Sequence, residues 1–413
     1  MKKIISNKIY FFIAFIFLSF SIGFILGAYE YKKGHVSHYK KILFGLINQN
    51  INIVYRLINY DGENLEEKLN ILISDENLIK LNTLRNLAIN NGSITEEIKS
   101  YQLNAKVQNE DREYEARISL TGTNLDHLIS KNQWSLRIIS KKKNINEEQN
   151  KFSILVPYAR GNNILSEWLN LKLTSHLEVP SINYEYIKLF INDEDKGLYA
   201  MEEHFDDFLK NYEYGSLIFK IMDDVSIKIY SGHKDEDSIY RHNINFIKIW
   251  NSFLKGEASV SQVFDIKKIA THYALSDLVN GHHTHHLANN FFLFNNKNKL
   301  IYPVGREWES PYLEKNNFDI FINSHTNFGS KETQEFHKLF FNDKEFVIQY
   351  LKILNQITEK KFLKNFVNDQ KIYINKNQEI LNFYYPTWDT SENYLFDNID
   401  IIKQKIKEFD NFN

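Results

Sequence analysis

The feature that most constrains this chain is an uncharged apolar stretch close to its amino terminus. Residues 9–29 carry no charged side chain and are rich in Phe, Ile and Leu. A stretch of this length crosses the hydrocarbon core of a bilayer, about 30 Å thick, as a single helix. The sequence therefore predicts a transmembrane anchor over residues 9–29, preceded by a short tail over residues 1–8.

The charges on either side of this stretch indicate its orientation. Lysines flank it on both sides, at Lys2, Lys3, Lys8, Lys32 and Lys33. Positive charge favours the cytoplasmic side, so the short tail is predicted to be cytoplasmic and the bulk of this single-pass protein extracytoplasmic. The alternative is a signal peptide cut near Gly27 and Ala28. The anchor is favoured because the apolar stretch exceeds the usual ~7–15 residues of a signal-peptide core.

Composition excludes several classes of protein. The 413 residues include 50 Lys and Arg against 52 Asp and Glu. The chain therefore lacks the excess of basic residues that is typical of a nucleic-acid-binding protein. Cysteine is absent, which excludes disulfides, thiolate catalysis and cysteine-ligated metal sites. Hydrophobic residues make up 43%, enough for a sizeable core.

The region after the anchor shows helical spacing. Leu43, Leu46 and Ile47 recur at three- and four-residue steps, and Leu65, Leu69 and Leu72 repeat the pattern farther on. We therefore expect a helical stalk or cap over residues 30–94.

Strand patterns begin near residue 95. Apolar and polar residues alternate over 114–120 and 134–138. The same alternation over 184–191 and 197–201, joined by the polar turn 192–195, predicts a hairpin. A second hairpin is predicted from 291–294 and 300–304.

Helical patterns dominate the rest of the chain. Residues 164–177 and 266–279 read as helices, and the region 311–413 is predicted to be mainly helical. Strands followed by helices suggest an α+β fold with two lobes.

Four histidines within five residues form the most unusual segment, Asn280 to His286. Neutral imidazole is a common metal ligand. The spacing, however, is not His-Glu-x-x-His, and no general-base Glu lies between the histidines. Local hydrogen bonding at a helix end is the favoured interpretation, and a transition-metal site is the alternative.

Oxygen ligands suited to Mg²⁺ lie on either side of the second hairpin. Asn289 and Asn290 precede it and Glu307 follows it, and amide and carboxylate oxygens are hard ligands of this kind. Lys220 lies within an apolar strand pattern. It is either an edge residue that extends its charge to water or a phosphate-binding residue.

Several of these segments, in order, resemble one family of atypical kinases. They are Arg117 to Leu128 with Trp134 to Ile138, the hairpin Ile187 to Phe205 with its terminal glutamates, and Asp277 to Glu307. Together they are similar to the motifs of the CotH-type (spore coat protein H-type) kinase family, over about residues 112–310. The resemblance implies a two-lobed kinase-like fold for residues 95–310 and phosphoryl transfer that depends on ATP and Mg²⁺.

The resemblance also assigns residues to roles. Asn289 or Asn290, with the register open, and Glu307 stand where the family binds metal, although the family has Asp at the latter position. The family's catalytic Asp falls on Thr284 or His285, so His285 is the residue that would act as base.

The hairpin motif assigns one further position, since Glu202 and Glu203 match the glutamate at the end of the family's hairpin. Arg137 or Lys220 would clamp the phosphates, and the role of Lys220 is a hypothesis without a match in the family's motifs.

Three functions remain open. The first is a membrane-anchored kinase that phosphorylates an extracytoplasmic protein or envelope polymer. The second is a catalytically impaired pseudokinase that acts as a scaffold or binding module in cell-surface assembly. The third is a metal-dependent enzyme that uses the histidine cluster.

Overall fold

Seven strands of the amino-terminal half close into a barrel. The computed structural model describes residues 67–109, 112–128, 130–141, 151–161, 163–222, 226–231, 236–308 and 319–412. The barrel strands are β1 (Lys68–Leu72), β2 (Leu103–Asn109), β3 (Arg112–Leu120), β4 (Leu136–Ser140), β5 (Lys151–Leu155), β6 (Tyr184–Ile191) and β7 (Glu194–Glu203). Their order is β1-β2-β3-β4-β5-β7-β6, and β6 returns to β1 in parallel. All other pairings in the barrel are antiparallel.

Alternation along the strands separates an apolar interior from a polar outer face. On β3, Ala116 and Ile118 are buried while Arg117 between them is exposed. Ile118 lies opposite Ile138 on β4, which in turn lies opposite Phe152 on β5, and these apolar side chains fill the interior. The strands predicted over 114–120 and 134–138 and the hairpin over 184–201 are confirmed, although the second strand begins at Leu136.

The predicted two-lobed, protein-kinase-like architecture was wrong, because the strands close into a barrel. Closure depends on β1, whose leucines had suggested a helical stalk. Leu69 and Ile71 are buried at a period of two, while Asn70 between them is half-buried on the opposite face, so this segment is a strand. It bridges β2 and β6 and leaves no open edge.

A second, four-stranded sheet lies beside the barrel. Its strands are β8 (Leu217–Ile221), β9 (Ile227–Ser231), β10 (Phe291–Asn295) and β11 (Leu300–Pro303), in the order β11-β10-β8-β9. The predicted hairpin over 291–304 is confirmed as β10 and β11.

Helices cover both sheets. Their bounds are α1 (Asp75–Asn91), α2 (Glu96–Ser100), α3 (Ser166–His176), α4 (Phe205–Phe208), α5 (Glu236–Leu254), α6 (Val260–Val263), α7 (Ile266–Val279), α8 (Phe321–Ser324), α9 (Lys331–Phe341), α10 (Lys344–Ile357), α11 (Lys360–Asp369), α12 (Lys371–Tyr384), α13 (Tyr394–Asp397) and α14 (Ile399–Phe412). The helices predicted over 164–177 and 266–279 and the helical carboxyl-terminal region are confirmed. Every residue of α7 from Ile269 to Val279 is buried, so this helix forms the centre of the helical half.

The membrane prediction concerns a part of the chain outside these ranges. The anchor predicted over residues 9–29 and the tail over residues 1–8 precede the first described residue. Among the helices of the described ranges, none is both long enough and apolar enough to cross a membrane.

Candidate functional site

A polar cavity of about 380 Å³ lies between the outer face of the barrel and the second sheet. The sequence-predicted site residues that line it are Arg137, Glu202, Glu203, Lys220, Asn289 and Glu307. The structure therefore brings most of the predicted site to one place, although these residues come from β4, β7, β8 and two loops.

A row of residues that lie opposite one another on neighbouring strands, on the outer face of the barrel, forms one wall of the cavity. Arg137 on β4 lies between Ser119 on β3 and Ser153 on β5, and Ser153 lies opposite Glu202 on β7. Residues directly opposite one another on paired strands project from the same face. The short serine side chains leave space beside Arg137, so its guanidinium borders the cavity.

Arg137 forms no salt bridge with the described part of the chain. Its buried Nε has no hydrogen-bond partner among the described residues. Burial lowers the pKa of Arg137, with the nearby charge of Arg306 acting in the same direction and the charges of Glu202 and Glu96 opposing it. A guanidinium nonetheless remains charged at neutral pH. A buried donor of this kind is suited to an acceptor that enters the cavity.

Beside Arg137, two arginines and two glutamates form a closed cluster, which we call the Arg–Glu quartet (Arg160, Arg306, Glu202 and Glu307). Arg160 contacts Glu202 at 2.6 Å and Glu307 at 3.0 Å. Arg306 contacts Glu202 at 2.8 Å and Glu307 at 3.1 Å. Each guanidinium therefore bridges both carboxylates, which fixes all four side chains.

The quartet keeps both glutamates ionised. Burial acts to raise the pKa of Glu307, but the charges of Arg306 and Arg160 outweigh burial and hold this pKa far below its usual range. The same balance lowers the pKa of Glu202. A charge buried without such partners would be far more costly than a paired one.

Glu307 also has an unusual backbone. Its φ of 56° lies in the left-handed region, which non-glycine residues seldom adopt. The buried carboxylate of Glu167 on α3 accepts a hydrogen bond from the Glu307 N–H at 2.9 Å and stabilises this conformation. Burial raises the pKa of Glu167 to about 7, because it disfavours the charged form more strongly than Arg160 favours it.

A glycine turn between β3 and β4 closes one end of the cavity. Gly122 has a φ of 104°, and a Cβ added there would lie 2.3 Å from the ring of His127. Only glycine fits at this position. The backbone of residues 121–124 therefore lies directly against the cavity.

The second sheet supplies the opposite wall. Lys220 on β8 lies across from Phe291 on β10. Its ammonium is 5.5 Å from the ring centre of Tyr230, and the ring of Tyr230 packs edge-on against Phe291 at 5.1 Å. Lys220 thus belongs to an aromatic-lined cation site at the cavity and not to a solvent edge alone.

The two glutamates that end the first hairpin differ in orientation. They are consecutive on β7, so their side chains project from opposite faces. Glu202 belongs to the quartet, whereas the Oε2 atom of Glu203 accepts a hydrogen bond from the Asn183 N–H at 2.9 Å. Of the two carboxylates, only Glu202 is directed at the charges of the site.

The open register between the two asparagines is resolved by position. Asn289 lines the cavity, and its amide nitrogen lies 3.0 Å from Nε2 of His283. Asn290 is buried, is not among the residues that line the cavity, and has no hydrogen-bond partner for its Oδ1 within the described chain.

These residues do not fit a magnesium ion. Oε1 of Glu307 is already in contact with both guanidinium groups of the quartet. Across the described ranges, no group of three or more His, Asp and Glu side chains is placed to hold a metal. Arginine nitrogens occupy the positions around Glu307 that a cation would need.

The predicted base, His285, lies away from the cavity. It is fully buried, its ring stacks on Tyr273 at 4.2 Å, and it packs against His272 and Phe321. Burial, with the neighbouring histidines adding to it, holds the pKa of His285 well below its usual value. His285 is thus a core residue, although its place in the motif had suggested catalysis.

The remaining histidines of the cluster also separate. His282 pairs with the buried Asp277 at 2.9 Å, and His286 packs on Phe328. His283 faces the cavity beside Asn289. The cluster therefore does not converge on one point, in agreement with the favoured interpretation of local contacts.

Three residues of the site were missed from the sequence: Arg160, Arg306 and Glu167. Arg306 directly precedes Glu307, and Arg160 ends the short apolar run Pro157 to Ala159. Two sequence features could have identified these arginines. Arg306 is a charged residue next to a predicted site carboxylate, and Arg160 is a charged residue at the end of an apolar run. Arg160 and Glu167 also lie in a stretch, Arg160 to Leu169, that resembles a segment of the CotH-type family, but no role followed for Glu167 because an acidic residue in the first turn of a helix is common.

Comparison with known proteins adds no further assignment. No protein-family model matches this sequence, and no curated protein matches it. The resemblance to the CotH-type kinase family therefore rests on the motifs quoted above.

Proposed function

We propose that the cavity binds the phosphate groups of a nucleotide such as ATP and does not transfer them. The observation that carries this proposal is Arg137, a half-buried guanidinium at the cavity with no salt bridge among the described residues. This function corresponds to the pseudokinase alternative, in which the protein is a binding module that has lost catalysis.

The chemistry of the cavity supports a phosphate ligand. Arg137 presents the planar set of donors that matches phosphate oxygens, and Lys220 adds a second cation. A volume of about 380 Å³ lies within the range of about 300–1,000 Å³ that is usual for small-molecule sites.

The arrangement gives phosphoryl transfer little support. Transfer needs a positioned base and metal ions that neutralise charge on the phosphates. The residue predicted as base, His285, is enclosed by aromatic rings in the core. The acid predicted to hold the metal, Glu307, is neutralised by arginines. Binding without turnover is the function that fits both observations.

We further propose that this binding module acts in cell-surface assembly, held at the membrane by residues 9–29. The support is the uncharged apolar character of that stretch. Fractionation of cells tests this directly: the full chain should sediment with membranes and a chain lacking residues 1–29 should not.

Isothermal titration with ATP and with ADP tests the proposed ligand. Arg137→Gln should weaken binding by about 10- to 100-fold, the value of one or two hydrogen bonds to a charged group. The matched control is Arg117→Gln, because Arg117 is exposed on the same face of the barrel outside the cavity lining. This control should bind as the wild type does.

Two results would overturn the proposal. Wild-type affinity in Arg137→Gln would place the nucleotide elsewhere. Transfer of labelled phosphate from ATP to the protein or to envelope extracts would favour the active kinase instead.

A further inference from the structure

We propose that the cavity binds polyphosphate without a divalent cation, with Arg137 and Lys220, which lie outside the charge-neutral quartet, supplying the charge that a metal would otherwise provide. This inference rests on the proposed phosphate-binding function and adds to it the ionic form of the ligand. It follows from the mismatch between the residues present and a magnesium site.

The first observation is the geometry at Glu307. Its Oε1 atom lies 3.0 Å from Arg160 and 3.1 Å from Arg306. Both distances are those of charge-assisted hydrogen bonds. A metal ion at this oxygen would have to displace two guanidinium groups and leave them buried without partners, which is a costly exchange.

The second observation is the position of Glu202. Its two carboxylate oxygens accept from different arginines, Oε2 from Arg160 at 2.6 Å and Oε1 from Arg306 at 2.8 Å. Glu202 is 3% exposed, so neither oxygen can turn toward a cation in the cavity without breaking an ion pair. Both quartet carboxylates are therefore committed to arginine.

The third observation concerns the remaining oxygen ligand. The amide nitrogen of Asn289 is directed at the ring of His283, 3.0 Å away. Asn289 and Asn124 are the two amide side chains that line the cavity within the described ranges, and two amide oxygens are far from the six ligands that Mg²⁺ usually gathers.

The charges around the cavity favour the metal-free ligand. Among the described residues, five cationic side chains and four carboxylates line it, which leaves a net charge of one positive unit; they are Lys99, Arg137, Arg160, Lys220 and Arg306 with Glu96, Glu202, Glu203 and Glu307. Free ATP carries more negative charge than its magnesium complex, so it gains more from this excess of positive charge. The cavity thus favours the uncomplexed polyphosphate.

Titration of ATP and of inorganic tripolyphosphate into the wild-type protein, in excess EDTA and in saturating MgCl₂ at matched ionic strength, tests the inference. We expect Kd in EDTA to equal the value in Mg²⁺ or to be lower by about threefold, since screening limits the gain. Binding that appears only with Mg²⁺, or that is about tenfold tighter with it, overturns the inference and leaves the proposed function intact. No binding in either buffer overturns both.

Glu307→Gln provides a second readout. A metal ligand at this position would make the variant lose affinity selectively in MgCl₂. We expect the ratio of the two dissociation constants to stay within about twofold of the wild-type ratio, whatever the variant does to each of them. A ratio that shifts toward tighter binding in EDTA would contradict the inference.

Discussion

Two buried polar regions of this protein handle charge in opposite ways. The Arg–Glu quartet keeps four ionised side chains beside the cavity by pairing each with two partners of opposite sign. The histidine core, formed by His272, His285 and His337 with Tyr273, keeps its rings neutral among aromatic side chains. Burial lowers the pKa values of His272 and His337 to about 3.

The contrast shows why neighbouring motif residues took different roles. His283 and Glu307 lie on loops that face the cavity, whereas His285 turns inward onto α7. Charge is retained only where arginines are present to compensate for it. The inward histidine, with no such partner, became part of the core.

The largest expected effect comes from breaking the quartet. Arg160→Met leaves Glu202 and Glu307 with one arginine between them, so the free energy of unfolding should fall by about 3–5 kcal/mol. Urea denaturation measures this loss. Arg117→Met, on the exposed face of β3, is the control and should change stability by about 0.5 kcal/mol or less.

Adding Glu202→Gln to Arg160→Met sharpens the test. The double variant removes one charge of each sign, so it should recover a substantial part of the lost stability. A loss below about 1 kcal/mol in Arg160→Met would show that the quartet is not a buried charge cluster.

The histidine core should make the protein sensitive to acid. His272 has a pKa of about 3 in the folded state and about 6.5 when unfolded, so between these values the unfolded state binds the extra proton. The stabilisation is present above pH 6.5 and is lost as the pH falls, at about 1.4 kcal/mol per pH unit for each such histidine.

His272→Phe should reduce the slope of the unfolding free energy against pH by the contribution of one histidine. His285, His337 and His282 also face this region, and the variant leaves them in place. Urea denaturation between pH 4 and 8 measures the slope, with the alkaline end reporting packing alone. An unchanged slope in the variant would show that His272 titrates normally in the folded protein.

Glu167 should have the opposite pH dependence, with a smaller total effect. Its pKa is about 7 when folded against 4.5 when unfolded, so the folded state binds more protons between these values. Its contribution to stability is greatest below pH 4.5 and decreases as the pH rises to about 7, by about 1.4 kcal/mol per unit. Because the histidines act in the opposite direction, Glu167→Gln should make the net rise in stability between pH 4.5 and 6.5 steeper by this amount, and an unchanged slope would show that Glu167 titrates normally.

The smallest expected effect is on nucleotide affinity, which should depend on the cavity and not on the histidine core. His285→Phe keeps an aromatic ring in the core and should change nucleotide affinity by less than about twofold, since the ring lies outside the cavity. His283→Ala alters the cavity itself and should have the larger effect. The reverse order, measured by titration, would return His285 to the site.

Local patterns were sufficient for much of the fold and insufficient for its closure. The alternation over β3 and the turn between β6 and β7 are set by neighbouring residues, so the sequence predicts them. Barrel closure depends on the parallel pairing of β1 with β6, more than a hundred residues apart. The leucine spacing of β1 fits a helix equally well, and only a distant partner decides between the two.

The site shows the same division. Arg137 could be identified because it lies in a quoted motif, and Lys220 because it stands out in an apolar strand pattern. The quartet could not, since its meaning depends on Arg160 and Arg306 meeting the same two carboxylates across the fold. When those contacts are not known, the sequence predicts that Glu307 is a metal ligand.

The most direct test is a crystal structure of the protein with ADP in excess EDTA. We expect the phosphate oxygens within about 3.2 Å of the Arg137 guanidinium, with the quartet ion pairs unbroken. Phosphates bound elsewhere, or a nucleotide that enters the cavity only when a metal ion bridges it to Glu307, would contradict the central claim.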